Sequence, residues 1–514
     1  MNSNLFSALR AAFAADLDAT AIETADTATP LYYSWRDLER GTARLANLIA
    51  SLDLPPQSRV AVQVEKSVEA LMLYLAVLRS GHVFLPLNTA YQAAELQYFI
   101  EDAEPALLVC APRHFGWVSQ LAFAAGTRHV FSLDDERGGT LLTRAAQFGE
   151  THETAHCGPD DLAAILYTSG TTGRSKGAML SHGNLLSNAL ALKRVWAWRS
   201  AADGGDVLIH ALPIFHVHGL FVASHGALIN GSKMIWFARF DARAVTARLP
   251  EATVFMGVPT LYVRLLAEPS FGHASCDRMR LFVSGSAPLL LETFTAFAQR
   301  SGHRILERYG MSETLMLTSN PYRPEDARRG GTVGLALPGV GVRICGDSAQ
   351  TLPAGEVGGI EVRGPNIFKG YWRMPEKTAA EFSADGWFKT GDVGRLDAGG
   401  VLSIVGRSKD LIITGGYNVY PAEIEGFIND MPGVAESAVI GVPHPDFGEA
   451  VVAVVVARAG AALRSADIVA TLKGRIANFK VPKLVDIVTD LPRNAMGKVQ
   501  KNLLRDKHGK LFAK

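Results

Sequence analysis

Between residues 30 and 155, short apolar runs alternate with stretches whose apolar residues recur at helical spacing. Arg59–Val64, Val83–Leu87 and Leu107–Cys110 read as strands, and Val68–Arg79 as the helix between the first two. That alternation is the pattern of βαβ units around a parallel sheet. It recurs at Val207–Leu212, Met234–Phe237, Val254–Val258 and Leu281–Ser284, each followed by a helix-compatible segment. After about residue 330 glycine and proline become denser, and short alternating strands such as Gly341–Cys345 and Gly359–Arg363 replace the rhythm. Beyond Gly406–Asp410 the pattern predicts a helix over Glu423–Asp430, strands over Val434–Val442 and Val451–Ala457, and a helix over Ile468–Asn478. A chain of 514 residues exceeds one ordinary core. The predicted fold class is α/β. Residues 1–408 form a large N-terminal domain of βα-layered subdomains, with a β-rich subdomain at about 330–408, and residues 409–514 form a small α+β C-terminal domain.

Candidate chemistry concentrates first in Tyr167–Gly177, directly after the apolar run Leu162–Leu166. Thr168, Ser169, Thr171 and Thr172 supply hydroxyls, Gly170 and Gly173 allow close backbone approach, and Lys176 supplies a point charge. Such a loop suits a polyphosphate. It differs from the common P-loop, whose lysine runs straight into a helix. Here Gly177–Leu180 reads as a second strand, with a helix only after Ser181. A second motif, Arg308–Thr314, offers Tyr309 to stack on a base, Ser312 to donate to a phosphate and Glu313 to ligate the Mg²⁺ that accompanies ATP. A helix-start box is the competing reading. In Thr390-Gly391-Asp392 a carboxylate after a tight turn can accept ribose hydroxyls.

Bulk properties narrow the class. A net charge of +1, with 20% charged residues, gives no sign of a nucleic-acid partner. No apolar run is long enough for a membrane span. Cys110, Cys157, Cys276 and Cys345 lack metal or redox spacing, which suits free thiols in a reducing compartment. Leu5, Leu9 and Phe13 fall at helical spacing and read as a surface helix, with a mitochondrial presequence as the alternative, so a cytoplasmic location is expected. Oligomeric state is not legible; monomer and dimer are both open.

Taken in order, these motifs resemble the signatures of the adenylate-forming enzymes: acyl-CoA synthetases, peptide-synthetase adenylation domains and luciferases. The loop departs from the usual form only at Ser175, where the family has proline. The resemblance implies ATP and CoA as co-substrates with Mg²⁺, no prosthetic group, and a mobile C-terminal domain. By it, Tyr309 faces adenine, Ser312 the α-phosphate and Glu313 the metal, while Asp392 and Arg407 hold the ribose. Lys498, in Pro492–Lys501, matches the mobile catalytic lysine and Lys409 the hinge. Gly415, Gly416 and Tyr417 match a loop that lines the pantetheine tunnel. His216 falls at the acyl-pocket floor, a binding rather than an acid–base role. Lys498, Glu313, Ser312 and Lys176 are thus the candidate catalytic set.

The acid to be activated is read from two arginines that should face the acyl pocket, Arg308 and Arg264, with Ser286 adding a hydroxyl. Arginine is not neutralised by burial, so a pocket arginine demands an anionic partner. Gly257-Val-Pro-Thr, Ser284-Gly-Ser-Ala-Pro and Glu307-Arg-Tyr-Gly-Met resemble the malonate-activating branch of the acyl-CoA synthetases, which implies malonate as substrate, with methylmalonate partly accepted. Pairing of both arginines with nearby glutamates would leave instead a small apolar pocket. The remaining alternatives are another short-chain or dicarboxylic acyl-CoA synthetase, an enzyme that loads a carrier protein, and a silent nucleotide sensor. The chain shows no Asp-Ser-Leu carrier attachment site, and Lys498 and Glu313 are both present.

Overall fold

A computed structural model describes residues 2–25, 29–168, 175–200, 203–415, 417–473, 475–494 and 497–512. The predicted βα rhythm builds two sheets. One has six strands in the order His129–Ser132, Leu107–Cys110, Arg59–Gln63, Val83–Pro86, Leu162–Thr168 and Lys176–Ser181, all parallel except the last. The other has nine, with a parallel centre that includes Val207–His210, Val254–Gly257, Leu281–Ser284 and Leu306–Met311. Val68–Arg79 is buried along its whole length, which explains why its sequence is apolar throughout between Glu69 and Arg79. The N-terminal helix, Leu5–Arg10, packs Leu5, Phe6 and Leu9 into the same core.

The later segments form a four-stranded antiparallel sheet over Gly341–Arg407. Residues 412–504 then build separate apolar clusters on the two faces of a sheet centred on Val434–His444 and Gly448–Ala457. The predicted helix over Ile468–Asn478 is shorter than expected, Ser465–Lys473, with a separate turn at Asn478–Lys480. Arg308–Thr314 does not start a helix. It crosses a hairpin between Leu306–Met311 and Leu315–Ser319. Asp392 does not follow a tight turn either: it lies inside the strand Phe388–Leu396, and the turn-like signal of Gly391 reflects a left-handed residue, φ +72°, at an irregularity in that strand.

Three parallel strands of the larger sheet are tied together at their N-terminal ends. Arg280 meets Asp206 through Nε–Oδ1 (2.7 Å) and Nη2–Oδ2 (2.5 Å), and Asp206 also accepts from Thr253 Oγ1 and the Arg199 amide. Burial alone would raise the Asp206 pKa, but the Arg280 and Arg199 hydrogen bonds outweigh it and hold the group below its normal value. Its stabilising contribution is therefore present above the unfolded carboxyl pKa, about 3.9, and lost as pH falls from there through the lower folded value. Arg280→Met leaves Asp206 buried and unpaired, and urea unfolding at pH 7 is expected to show a loss of about 3–5 kcal/mol.

Candidate active site

The functional side chains gather at the opposite, C-terminal ends of the strands, where open α/β sheets bind ligands. Thr168 ends one strand and Lys176 begins the antiparallel return. The intervening candidates Ser169, Gly170, Thr171, Thr172 and Gly173 lie outside the described residues, as does Gly416. Gly177 is required by packing, since a Cβ there would stand 2.8 Å from Ile165 Cγ2. The returning strand is covered by residues 369–372, through Met179 N–H to Gly370 O (3.0 Å) and Trp372 N–H to Gly177 O (2.7 Å). This brings in Tyr371, which the sequence reading missed. Its hydroxyl donates to Glu313 Oε1 at 3.1 Å, and its ring lies 4.1 Å below Lys176 Nζ. Thr168 Oγ1 also reaches Glu313, at 3.5 Å. Burial raises the Glu313 pKa, while Tyr371 and Lys176 favour its charged form.

Tyr309 donates to Asp392 Oδ2 at 2.5 Å, and Arg407 Nε stands 3.1 Å from Oδ1, across the register that pairs Asp392 with Arg407. Lys498 follows Gly497, whose φ is +75°. Its side chain is accessible from the cleft yet densely surrounded by protein atoms. Desolvation and the Arg407 charge lower its pKa, while Asp392 and Glu313 oppose them. The Lys498 charge reaches His216 as well, where it adds to the burial that lowers the imidazole pKa. Lys498, Glu313, Asp392 and Arg407 thus share one cleft.

Lys409 lies in the turn Ser408–Asp410, and burial with the Arg407 charge lowers its pKa to about 8. Asp410 is held by Arg505 at 2.7 Å, and Ser408 Oγ donates to Gly391 O at 2.7 Å. Gly415 and Tyr417 flank a small hairpin, and Tyr417 is exposed and stacks on Phe479.

The acyl side is polar. Arg308 is 2% exposed and lies flat on Gly285, where a Cβ would stand 2.5 Å from its Cζ. Its Nε and Nη2 have no partner among the described residues. Desolvation lowers its pKa only to about 10, so it stays cationic at neutral pH. The pairing with nearby glutamates that would neutralise it is absent: Glu307 is buried, its pKa is pushed up to about 8, and its Oε1 accepts from the Leu289 amide. Ser286 holds a left-handed backbone, φ +72°, and its Oγ stands 3.4 Å from His218 Nδ1. Strain of this kind in a non-glycine residue points to function. His218 was also missed, although its spacing in Phe215-His216-Val217-His218 was its only signal. His216 is kept neutral by burial, with a pKa of about 4. Arg264 sits on the helix Pro259–Ala267 with its side chain exposed and pairs with no glutamate among the described residues.

The Glu307 shift has a testable sign. A carboxyl whose folded pKa is raised contributes stability below its unfolded value, and this is lost as pH rises through the folded one. Between about pH 4.5 and 8 the wild type should therefore lose stability relative to Glu307→Gln. Chemical denaturation of both at pH 5 and pH 8 checks this: the variant should gain more at pH 8.

The chain matches the AMP-binding enzyme family over residues 9–372 and the AMP-binding enzyme C-terminal domain over residues 423–498. ATP-bound MatB from Rhodopseudomonas palustris is 52% identical, covers 100% of both chains and superposes with a TM-score of 0.95; the apo form gives 0.85. Malonate–CoA ligase of Arabidopsis thaliana is 36% identical over 484 residues, 87% of this chain and 78% of that protein. Feruloyl-CoA synthase of an Amycolatopsis species is 35% identical over 497 residues, 96% of each. With its cleft, its two-part architecture and these matches in agreement, the chain belongs to the AMP-binding enzyme family.

Proposed function

We propose that this chain is an AMP-forming acid–thiol ligase that converts malonate, ATP and CoA to malonyl-CoA, AMP and pyrophosphate. The carrying observation is Arg308, a buried cation on the acyl side with two nitrogens unpaired among the described residues. A monocarboxylic substrate spends its one carboxylate on the reaction and leaves that cation unmatched. A second carboxylate pairs with it, and Ser286 adds a hydroxyl from its strained position. The similarity to malonate–CoA ligases supports the same reading. Feruloyl-CoA synthase is equally similar in sequence, but a ferulate ring offers Arg308 no anion. Arg264, being exposed, takes the secondary role.

In the first half-reaction a carboxylate oxygen of malonate attacks the α-phosphorus and pyrophosphate leaves. Lys498 bridges the attacking carboxylate and the α-phosphoryl oxygens, where it offsets the developing charge without transferring a proton. Asp392 accepts the ribose hydroxyls, Tyr309 packs against the base, and Ser312 and Lys176 contact phosphates, with the residue 168–173 loop as their cradle. Glu313 suits a Mg²⁺ carried in by ATP. It is a buried carboxylate that a cation would compensate, and it belongs to no group of three or more His, Cys, Asp or Glu side chains among the described residues, which suits a metal that keeps phosphate and water ligands. Mg²⁺ would neutralise phosphate charge there. In the second half-reaction the CoA sulfur attacks the acyl carbon and AMP leaves. For that step residues 409–514 rotate about Lys409, which withdraws Lys498 and presents Gly415, Gly416 and Tyr417 to pantetheine.

Two experiments test this. Lys498→Ala should abolish adenylate formation and leave thioester formation from supplied malonyl-adenylate largely intact in rapid-quench assays of each half; equal loss in both would remove the rotation. Arg308→Ala should cut malonate kcat/KM by about ten- to a hundred-fold, the value of one charge-assisted bond, and spare propionate. Arg264→Ala should do the same more weakly. Proportionate loss for both acids would place the second carboxylate elsewhere.

A further inference from the structure

Lys66 is buried and donates to acceptors on the larger sheet. It lies between the strand Arg59–Gln63 of the smaller sheet and the helix Val68–Arg79, and points across to the larger sheet. Its three protons meet His210 Nδ1 (2.9 Å), His210 O (2.8 Å) and Phe237 O (2.7 Å), and its ammonium stands 4.3 Å from the Trp236 ring centroid. Lysine has no acceptor, so Nδ1 must accept and the His210 proton must sit on Nε2. Burial and the Lys66 charge both keep the ring neutral. Nε2–H then donates to Gly219 O (3.0 Å) and Ser224 Oγ (2.9 Å), and the Ser224 hydroxyl donates to Gly219 O at 3.0 Å. From Lys66 through the His210 ring to Ser224 each hydrogen bond has one possible direction, and both the ring and the Ser224 hydroxyl end on the Gly219 carbonyl.

That carbonyl belongs to a π-helical turn, His218–Ser224, a form that occurs mostly as short functional insertions. Gly219 has no room to move, because a Cβ there would stand 2.0 Å from Pro213 O. The residue before it is His218, whose Nδ1 faces Ser286 and whose pKa is lowered by burial and then by the Arg308 charge. An uncharged side chain of the same length would fill the Lys66 site without the desolvation cost of a buried cation. What lysine adds is direction. We propose that Lys66, His210 and Ser224 are positioning residues that fix the turn His218–Ser224 and, through His218, the Ser286–Arg308 face that receives the substrate's second carboxylate. The inference rests on the malonate reading for its substrate, while the relay itself rests only on the geometry.

Ser224→Ala and Lys66→Met test it in the full chain by steady-state pyrophosphate release. The expected result is a malonate KM raised about tenfold by Lys66→Met and about threefold by Ser224→Ala, with the ATP KM within twofold of wild type. A merely structural defect would lower kcat through a smaller active fraction and leave both KM values alone; that result, or a parallel rise in the ATP KM, overturns the proposal. Imidazole ¹⁵N spectra supply a second readout: His210 should hold the neutral Nε2–H form to low pH in the wild type and lose that preference in Lys66→Met. An unchanged His210 tautomer would also overturn it. If Lys66→Met does not fold, the Ser224→Ala result decides. If the wild type fails to turn over malonate, the substrate reading falls, and the same KM comparison with its preferred acid still tests the relay.

Discussion

A guanidinium that stays charged at neutral pH, buried beneath the acyl site with two nitrogens unbonded among the described residues, is the constraint on which the rest of this site depends. Arg308 is held there by backbone: the flat surface of Gly285 admits it, and the strand Leu306–Met311 fixes its direction. Burial pushes the pKa of its neighbour Glu307 up to about 8, against the opposing Leu289 amide and Arg308 charge, which weakens the counter-charge it offers. Leaving a buried cation unmatched is costly, and the cost is removed when an anion arrives. Binding energy for a dicarboxylate is in this sense stored in the fold before the substrate enters.

The scaffold separates stability from chemistry along the strands. At the N-terminal ends of the larger sheet, Asp206, Thr253 and Arg280 form a closed, fully paired network. At the C-terminal ends the same strands deliver His210, Gly257 and Ser284 to the edge of the cleft, and polar atoms there are left unpaired. Lys498 arrives from the other hydrophobic unit. The domain arrangement superposes better on the ATP-bound form of the Rhodopseudomonas palustris relative than on its apo form, and it sets Lys498 among Arg407, Asp392 and Glu313.

Much of this was legible in the sequence because it is local. The strand Leu107–Cys110 and the helix Val68–Arg79 follow from periodicity alone, and the second strand after Lys176 followed from the absence of a helical pattern there. The site residues that escaped are those whose meaning is set by distant partners. Tyr371 faces Glu313 only because residues 369–372 dock on the strand from Lys176, nearly two hundred residues earlier in the chain. His218 has its place through a π-turn that no spacing rule signals. The helix-start alternative at Ser312 and the tight turn expected before Asp392 share one cause: hydroxyl, glycine and carboxylate residues mark turns and caps in general, and only tertiary pairing put Ser312 at a hairpin tip and Asp392 inside the strand Phe388–Leu396.

The central claim, that the acyl side is built for two carboxylates, is tested most directly with the unaltered protein by measuring ATP-dependent pyrophosphate release with acetate, propionate, malonate, methylmalonate, succinate and benzoate. A site whose buried polar groups are left unpaired by the wrong substrate rejects it by about 10⁴-fold or more, whereas an added methyl costs only about 1–3 kcal/mol. The account therefore predicts malonate as the preferred acid, methylmalonate as a slower substrate, and acetate, propionate and benzoate far below both. Turnover of acetate or benzoate at a rate equal to malonate would contradict it.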